Sequence, residues 1–189
     1  MSDWQAKIRG SRVATLAILL AVAVAVGIAI VGPRAMTSDD GVSGAVSSVD
    51  VGAGVAPQPG DAAPQIQATL LDGTEFTLGD RPTWVMFVAT WCPGCRTEMP
   101  DIQQAYTQES DVEFIALYVQ QSPQEVSDFA KRLGLTFPQA ADRNGNVAGA
   151  YGVRGLPTHV FIGADGIVKN VRVGAMNPDQ INEELDAIR

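Results

Sequence analysis

Both cysteines of the chain lie in the sequence Trp91-Cys92-Pro93-Gly94-Cys95. Two thiols separated by two residues can close a reversible disulfide and pass it to another protein by thiol–disulfide exchange. The Trp before the pair and the Pro inside it are typical of a helix that begins after a buried strand. At such a helix start, unpaired backbone N–H groups and the helix dipole favour a thiolate. We therefore predict a redox-active dithiol, with Cys92 as nucleophile and Cys95, nearly one turn later and more buried, as resolving thiol.

Two cysteines could also bind a metal ion or form a structural disulfide. A structural zinc site needs about four N or S ligands, whereas the chain has two cysteines and one histidine, His159. A purely structural disulfide around a loop of about four residues would contribute on the order of 2 kcal/mol, near the low end for disulfides. Copper binding through the same two sulfurs stays open, with His159 as the possible third ligand. We expect neither a resident metal nor an organic cofactor.

The N-terminal part contains an uncharged apolar run of 19 residues, Val13 to Val31. As a helix it would be about 28 Å long, close to the hydrocarbon thickness of a bilayer. Lys7, Arg9 and Arg12 precede the run and Arg34 alone follows it closely, which predicts residues 1–12 in the cytoplasm. A cleaved signal peptide is the alternative, although its apolar region is usually shorter. We predict a single transmembrane helix, residues 13–31, and a cell-membrane protein whose catalytic domain is extracytoplasmic.

Residues 32–60 are rich in Gly, Ser, Ala, Val and Asp and have no period of 2 or 3.6, which predicts a flexible linker. The formal net charge is −8, and Lys and Arg form no cluster in the part after the apolar run. Nucleic-acid binding is therefore not expected. Disulfides persist outside the cytoplasm, so two cysteines confined to one motif suit the predicted location.

Residues 61–189 have the size of one domain. Apolar runs bounded by turn signals predict strands, at Ile66–Leu71, Glu75–Leu78, Trp84–Ala89, Val112–Val119, Thr158–Ile162 and Ile167–Val173. Capping residues and glycines predict helices, at Pro93–Glu109, Pro123–Leu133, Asn144–Tyr151 and Pro178–Ile188. This order predicts an α/β domain with a mixed central sheet and helices on both faces.

Several segments of this domain match one known family in their order and spacing. They are Gly60–Pro64, Leu71–Gly73, Phe87–Pro100, Gly134–Pro138, Tyr151–Val153 and Gly155–Thr158. The chain resembles the membrane-anchored TlpA/ResA/CcmG-like thiol-disulfide oxidoreductases, of the thioredoxin-fold superfamily and redoxin type. The resemblance implies a thioredoxin fold with an N-terminal β-hairpin and a central insertion at about Ser122–Arg143.

The resemblance also singles out Glu98. Ordinary thioredoxins carry a buried Asp in the strand before the motif, where this chain has Met86, while the TlpA/ResA group has a Glu at the position of Glu98. Three residues beyond Cys95, Glu98 shares its helix face, and its carboxylate could accept the Cys95 proton directly or through water. The alternative is a solvated Glu in the first turns of a helix.

The remaining candidate site residues surround the cysteines. In the thioredoxin fold the proline matching Pro157 is cis and faces the disulfide, so Leu156, Pro157 and Thr158 are predicted to bind an extended substrate segment. Trp91 is predicted to contact partners, with core packing as its alternative.

Two other predictions concern residues near these positions. Pro93 and Gly94, between the cysteines, are predicted to tune the redox potential. His159 is expected to pack in the core or lie at the surface.

The predicted function is exchange of disulfides with protein thiol or disulfide substrates. The resemblance favours a reductive role toward apocytochrome c or similar partners, with electrons from a membrane thiol-disulfide transporter. General oxidation or isomerisation of exported proteins and a copper metallochaperone are the alternatives. A peroxidase with a Thr-x-x-Cys motif is disfavoured, because Thr90 lies two residues before Cys92.

Overall fold

The computed structural model of the protein describes residues 46–49, as a strand, and residues 56–189. The predicted anchor, residues 13–31, lies outside this range. Within the described ranges, no helix combines the length and the apolar character that crossing a bilayer requires.

Within the described residues, eight strands form two sheets. A small antiparallel sheet contains β1 (Val46–Val49), β2 (Ile66–Thr69) and β3 (Glu75–Thr77). A larger sheet has the strand order β6-β5-β4-β7-β8. Its strands are β4 (Thr83–Val88), β5 (Glu113–Val119), β6 (Gln139–Asp142), β7 (Thr158–Ile162) and β8 (Val168–Val173). Four helices complete the described fold, namely α1 (Pro93–Gln108), α2 (Pro123–Leu133), α3 (Asn146–Ala150) and α4 (Pro178–Ile188).

The central strand β4 carries the chain into the cysteine motif. It pairs parallel with β5 and antiparallel with β7, so the predicted mixed sheet is confirmed. All six of its residues are buried, as expected for an apolar strand covered on both faces. The predicted N-terminal hairpin is also confirmed, because β2 and β3 pair antiparallel.

The core has one layer on each face of the larger sheet. Trp84, Met86 and Val88 point into the layer that also contains buried side chains of α1, α2 and α4. Val85 and Phe87 belong to the opposite layer, which contains residues of the small sheet and α3. The alternation of side chains along β4 therefore assigns the cysteine motif to the first of these layers.

Two helix starts are closed by a capping box, a reciprocal pair of hydrogen bonds between the cap residue and the third helical residue. In α2, Ser122 accepts a hydrogen bond from the N–H of Glu125, whose carboxylate accepts one from the N–H of Ser122. In α4, Asn177 and Gln180 make the same reciprocal pair. Each of these helices, like α1, has a proline in its first turn, where a missing N–H costs no intrahelical bond.

Two strands were not predicted. The linker prediction is wrong at Val46–Val49, since β1 pairs antiparallel with β2. The linker's end is also fixed, because the Gly60 N–H donates to the Val168 carbonyl at 2.8 Å. Strand β6, with α2, fills the predicted insertion, and its sequence Gln-Ala-Ala-Asp has no strand signal of its own. Strand β6 forms because it pairs with β5. This is a tertiary contact, which local sequence patterns do not encode.

Candidate active site

Cys92 occupies the cap position at the start of α1. Its backbone is extended and its Sγ accepts a hydrogen bond from the Cys95 N–H at 3.2 Å. The side chain therefore points at the unpaired N–H groups of the first turn, where negative charge is stabilised. This is the setting that favours a thiolate over a thiol.

Cys95 lies one turn into the helix and is joined to Cys92 by a disulfide, with Cα atoms 5.3 Å apart. Cys92 is 4% exposed and Cys95 is fully buried, so the predicted difference in burial is confirmed. The small exposed fraction therefore belongs to Cys92 and not to Cys95. This asymmetry suits Cys92 to form the mixed disulfide and Cys95 to resolve it.

Glu98 is the third member of this helix face and is only 1% exposed. Its Oε2 accepts a hydrogen bond from the Met176 N–H at 3.1 Å and lies 3.4 Å from His159 Nε2. The alternative of a solvated Glu is therefore wrong. A carboxylate in this position can act as a proton acceptor within the protein interior.

Unsatisfied polar atoms concentrate around Glu98. Among the described residues, four buried side-chain N or O atoms have no hydrogen-bond partner, and they are Trp84 Nε1, Glu98 Oε1, His159 Nδ1 and His159 Nε2. The 3.4 Å contact between His159 and Glu98 is within ion-pair distance but lacks hydrogen-bond geometry. The centroids of the Trp84 and His159 rings are 5.7 Å apart. Since buried polar groups are normally satisfied, this cluster is distinct from the rest of the core.

The sequence reasoning did not identify the contact made by His159. Its prediction of packing or surface is right about burial, because the side chain is fully buried, but it omitted Glu98. In the sheet, His159 pairs with Met86 of β4, so it faces the layer of the cysteines. The available signal was a histidine in a mostly apolar strand. Only the pairing of β7 with β4 shows which core layer its side chain enters.

The proline loop lies against the start of α1. The peptide bond between Leu156 and Pro157 is cis, as predicted. A Cβ placed on Gly94 would lie 3.3 Å from Pro157 Cδ, so the turn between the cysteines touches this loop. The Gly174 N–H donates to the Pro157 carbonyl and the Thr158 hydroxyl donates to the Gly155 carbonyl. Substrate binding by Leu156, Pro157 and Thr158 stays a prediction, as does redox tuning by Pro93 and Gly94.

Two exposed apolar side chains lie beside these elements. Trp91 is 67% exposed, so its alternative role in the core is wrong and it is free to contact a partner. Val173 is 71% exposed and pairs with Thr158 across β7 and β8. Exposed large apolar groups next to a reactive disulfide are suited to contact a protein substrate.

A glutamine bracket holds the loop before the cysteines. The Thr90 N–H donates to Gln121 Oε1 at 2.8 Å, and Gln121 Nε2 donates to Thr90 Oγ1 at 2.6 Å. Gln121 lies in the connection between β5 and α2, thus the bracket joins two loops at the same edge of the sheet. The sequence did not predict this bracket, because Thr90 and Gln121 are 31 positions apart.

The possible metal ligands near the motif are Cys92, Cys95 and His159. Over residues 46–49 and 56–189, no group of three His, Cys, Asp or Glu side chains is arranged to hold a metal ion. His159, the third ligand that the copper alternative requires, is directed toward Glu98.

Comparison with known proteins agrees with this geometry. The model of the redoxin family matches residues 58–188. The thiol-disulfide oxidoreductase ResA of Geobacillus thermodenitrificans is 37% identical over 135 residues, which are 69% of this chain and 78% of that protein. The MTB dsbF structure, in mixed oxidised and reduced forms, is 29% identical with a TM-score of 0.61 and covers 65% of this chain and 94% of its own. A secreted Mycobacterium tuberculosis disulfide oxidoreductase homologous to E. coli DsbE is 28% identical with a TM-score of 0.57, over 64% of this chain and 94% of its own.

Proposed function

The chain belongs to the redoxin family and is a thiol-disulfide oxidoreductase, and from this we propose that it reduces disulfides of protein substrates outside the cytoplasm. The observation that carries the proposal is the stacking of three groups on one helix face. Cys92 lies at the helix start, Cys95 is buried one turn later, and the Glu98 carboxylate follows. Each group has a role in the two steps of disulfide exchange.

In the first step, the Cys92 thiolate of the reduced protein attacks a substrate disulfide. A Cys92–substrate S–S bond forms, the substrate S–S bond breaks, and one substrate sulfur leaves as a thiolate that takes a proton from solvent. In the second step, Cys95 gives its proton to Glu98 and attacks Cys92 Sγ. The Cys92–Cys95 disulfide forms and the second substrate thiolate leaves, so the substrate gains the two electrons that the protein loses.

The activity is tested by reduction of insulin disulfides with the full chain in mild detergent and a thiol reductant. Wild type is expected to accelerate the reaction, and Cys92→Ser is expected to fall to the uncatalysed rate. Cys95→Ser is the matched control, since it keeps the nucleophile and loses only resolution. Equal activity in wild type and Cys92→Ser would contradict the mechanism.

The reductive direction is supported by the likeness to the ResA-type relatives and by an internal base positioned to deprotonate Cys95. It is tested by the reduction potential of the Cys92–Cys95 couple in glutathione or dithiothreitol buffers. A value near that of thioredoxin, about −270 mV, is expected. A value near about −120 mV, typical of a strong oxidant, would assign the protein to the oxidative alternative.

The extracytoplasmic location is supported by the apolar run at residues 13–31, with three basic residues before it, and by the confinement of both cysteines to one motif. One similar protein is described as secreted. The test is a fusion of alkaline phosphatase after Arg189, since that enzyme needs disulfides that form outside the cytoplasm. An active fusion is expected, and an inactive one that is expressed at the same level would place the domain inside.

We further propose apocytochrome c, or a similar protein of haem or copper protein assembly, as substrate and a membrane thiol-disulfide transporter as electron donor. The likeness to TlpA/ResA/CcmG-like proteins supports both assignments. Cys95→Ser should trap substrates as mixed disulfides in cells, and mass spectrometry is expected to identify partners with closely spaced cysteine pairs. The same partners recovered with Cys92→Ser, or trapped proteins without cysteine pairs, would contradict this assignment.

A further inference from the structure

Glu98 and His159 form a buried polar pair in the core layer that contains the disulfide. Their side chains are 1% and 0% exposed, and Glu98 Oε2 lies 3.4 Å from His159 Nε2. They belong to different elements, α1 and β7, so the fold brings them together. Glu98 is also three residues from Cys95 on the same helix face, which links the pair to the resolving thiol.

The carboxylate has few other partners within the described part of the chain. Glu98 Oε2 accepts one backbone hydrogen bond, from Met176, and Oε1 accepts none. A buried carboxylate with so few hydrogen bonds is poorly satisfied in the core. His159 lies within ion-pair distance and can supply a further donor to it.

The other groups that face this pair offer no competing charge. From β4 the neighbours are Trp84 and Met86, and the buried α1 residues of the same core layer, Cys95 and Met99 among them, are uncharged. On β8, Arg172 pairs in register with His159, but its guanidinium is held by Glu184 of α4. Arg172 and Glu184 therefore compensate one another, and the Glu98 carboxylate is left with His159.

We propose that His159 is a positioning residue for Glu98, an inference that rests on the proposed function. The 3.4 Å contact places an Nε2–H of the imidazole to donate toward Glu98 Oε2, which holds the carboxylate oriented to accept the Cys95 proton. During resolution, Cys95 Sγ loses its proton to Glu98 and attacks Cys92 Sγ, so the Cys92–Cys95 bond forms and the Cys92–substrate bond breaks. The departing thiolate takes a proton from solvent, and Glu98 returns its proton to Cys95 when the Cys92–Cys95 disulfide is next reduced.

The test separates the two steps with dithiobis(nitrobenzoate) and the reduced full-length protein in detergent. The first thionitrobenzoate released reports attack by Cys92, and the second reports resolution by Cys95, because it is intramolecular and independent of reagent concentration. The second rate is measured across pH from about 5 to about 9. The variants are H159L, H159M, H159Q, E98Q and the double variant H159L/E98Q.

The expected result is a change in the pH profile of the second release. In H159L and H159M the carboxylate has lost its stabilising partner, so resolution at neutral pH is about tenfold slower and its midpoint moves to higher pH. H159Q retains an N–H donor and recovers the rate to within about threefold of wild type. E98Q is slower still, by about a hundredfold, and H159L adds nothing to it in the double variant, because His159 acts through Glu98.

Val160→Ala is the matched control, since Val160 is the next residue of β7 and is buried in the opposite core layer. It is expected to lose stability without any change in the profile. If H159L does not fold, H159M provides the apolar replacement in the same layer.

Three results would overturn the inference and leave the proposed function standing. The first is a pH profile of the second release in H159L or H159M that equals that of wild type. The second is resolution in H159L as fast as in H159Q. The third is a double variant in which the rate losses of H159L and E98Q multiply. Absence of any concentration-independent second release in wild type would overturn the proposed function, and the inference would fall with it.

Discussion

At the scale of single residues, two chemically identical thiols acquire different roles from their surroundings. Cys92 receives an N–H hydrogen bond at the helix start, whereas Cys95 is fully buried beneath it. Trp91, immediately before them, is 67% exposed and contributes little to the core. Its large apolar surface beside the disulfide is therefore available to a protein partner, and contact with substrate stays a prediction.

Replacement of Trp91 by Ala is expected to raise KM for insulin reduction by about fivefold, the equivalent of roughly 1 kcal/mol of lost contact. The change should barely affect stability, because the side chain is exposed. Steady-state kinetics at varied insulin concentration measures the effect.

Leu133→Ala is the control for this substitution. Leu133 is another exposed apolar side chain, at the far end of α2, about 16 Å along that helix from its start near the active-site loops. It should leave KM unchanged. An equal rise in both variants, or none in Trp91→Ala, would remove Trp91 from the docking surface.

The residues of the site differ in how far the sequence could predict them. The cysteine pair, the helix that begins between them and the cis Leu156–Pro157 bond follow from local motifs and resemblance. The partners of Glu98 do not, because Met176 is 78 positions away and His159 reaches it only through strand pairing. Local sequence predicts which groups can react, while the long-range contacts that tune them require the fold.

At the scale of elements, the active-site loop is held by a glutamine that has a close counterpart elsewhere. Gln121 brackets Thr90, accepting from its N–H and donating to its hydroxyl. Gln103 brackets Thr136 by the same two contacts, but in a more exposed place. Comparing variants of the two glutamines therefore separates the contribution of such a bracket to stability from its effect on the reactivity of the cysteines.

Gln121→Ala is expected to destabilise the fold by about 1–3 kcal/mol, because it leaves the Thr90 N–H without its acceptor in a part-buried loop. Gln103→Ala should cost about 0.5–1.5 kcal/mol, since water can replace the lost contacts. Urea unfolding measures both. Only Gln121→Ala should also slow the reaction of Cys92 with thiol reagents, and equal reactivity in the two variants would show that the bracket does not position the loop.

An added Cβ would meet no atom within 4 Å at Gly134 or at Gly149. Substitution by Ala is nevertheless expected to have opposite effects on stability at the two positions. Gly134 ends α2 with φ of +66°, whereas Gly149 lies inside α3 and has no positive φ. Gly134→Ala should destabilise by about 1–2 kcal/mol, because a side chain is disfavoured in the left-handed region. Gly149→Ala should stabilise by about 0.5–1 kcal/mol, through helix propensity. Thermal unfolding that moves in the same direction for both would contradict this assignment.

Among the elements, the sequence predicted those with strong local signals. The apolar strands β4 and β5 and the capped helices α2 and α4 lie at or within one residue of their predicted bounds. Strands β1 and β6 were missed, because Val46–Val49 sits in a Gly/Ser-rich stretch and Gln139–Asp142 lacks alternation. Both are ordered by pairing with a neighbouring strand, a contribution that no window of sequence contains.

At the scale of the whole molecule, acidic residues outnumber basic ones, 21 to 13. Some carboxylates also make contacts that favour their charged form. The Thr74 hydroxyl and N–H hold the pKa of Asp72 below its usual range, and the Ser122 N–H and hydroxyl do the same for the pKa of Glu125. A lowered folded pKa stabilises the fold at pH values above the unfolded pKa, about 3.9 for Asp and 4.3 for Glu.

This contribution is lost as pH falls through the folded pKa values, so the free energy of unfolding should drop between about pH 5 and about pH 3. Urea unfolding at the two pH values measures the change. The double variant Asp72→Asn and Glu125→Gln should be less stable at pH 5 and show a shallower drop. A drop as steep as that of wild type would assign the acid sensitivity to other groups.

The two-layer core separates stability from chemistry. The disulfide, Glu98 and His159 share the layer of α1, α2 and α4, while the small sheet and α3 cover the opposite face. Changes in the opposite layer should therefore alter stability more than exchange. The account as a whole depends on one property, an ionised and accessible Cys92 in the reduced protein.

The direct measurement of that property is the rate of iodoacetamide alkylation of each cysteine in the reduced full chain at about pH 6, read by mass spectrometry of the labelled peptides. A lowered thiol pKa raises the thiolate fraction more than it reduces intrinsic nucleophilicity. Cys92 is therefore expected to react at least about three times faster than in the same chain unfolded in urea, while Cys95 is protected. A Cys92 rate equal to or below that of the unfolded chain would contradict the account.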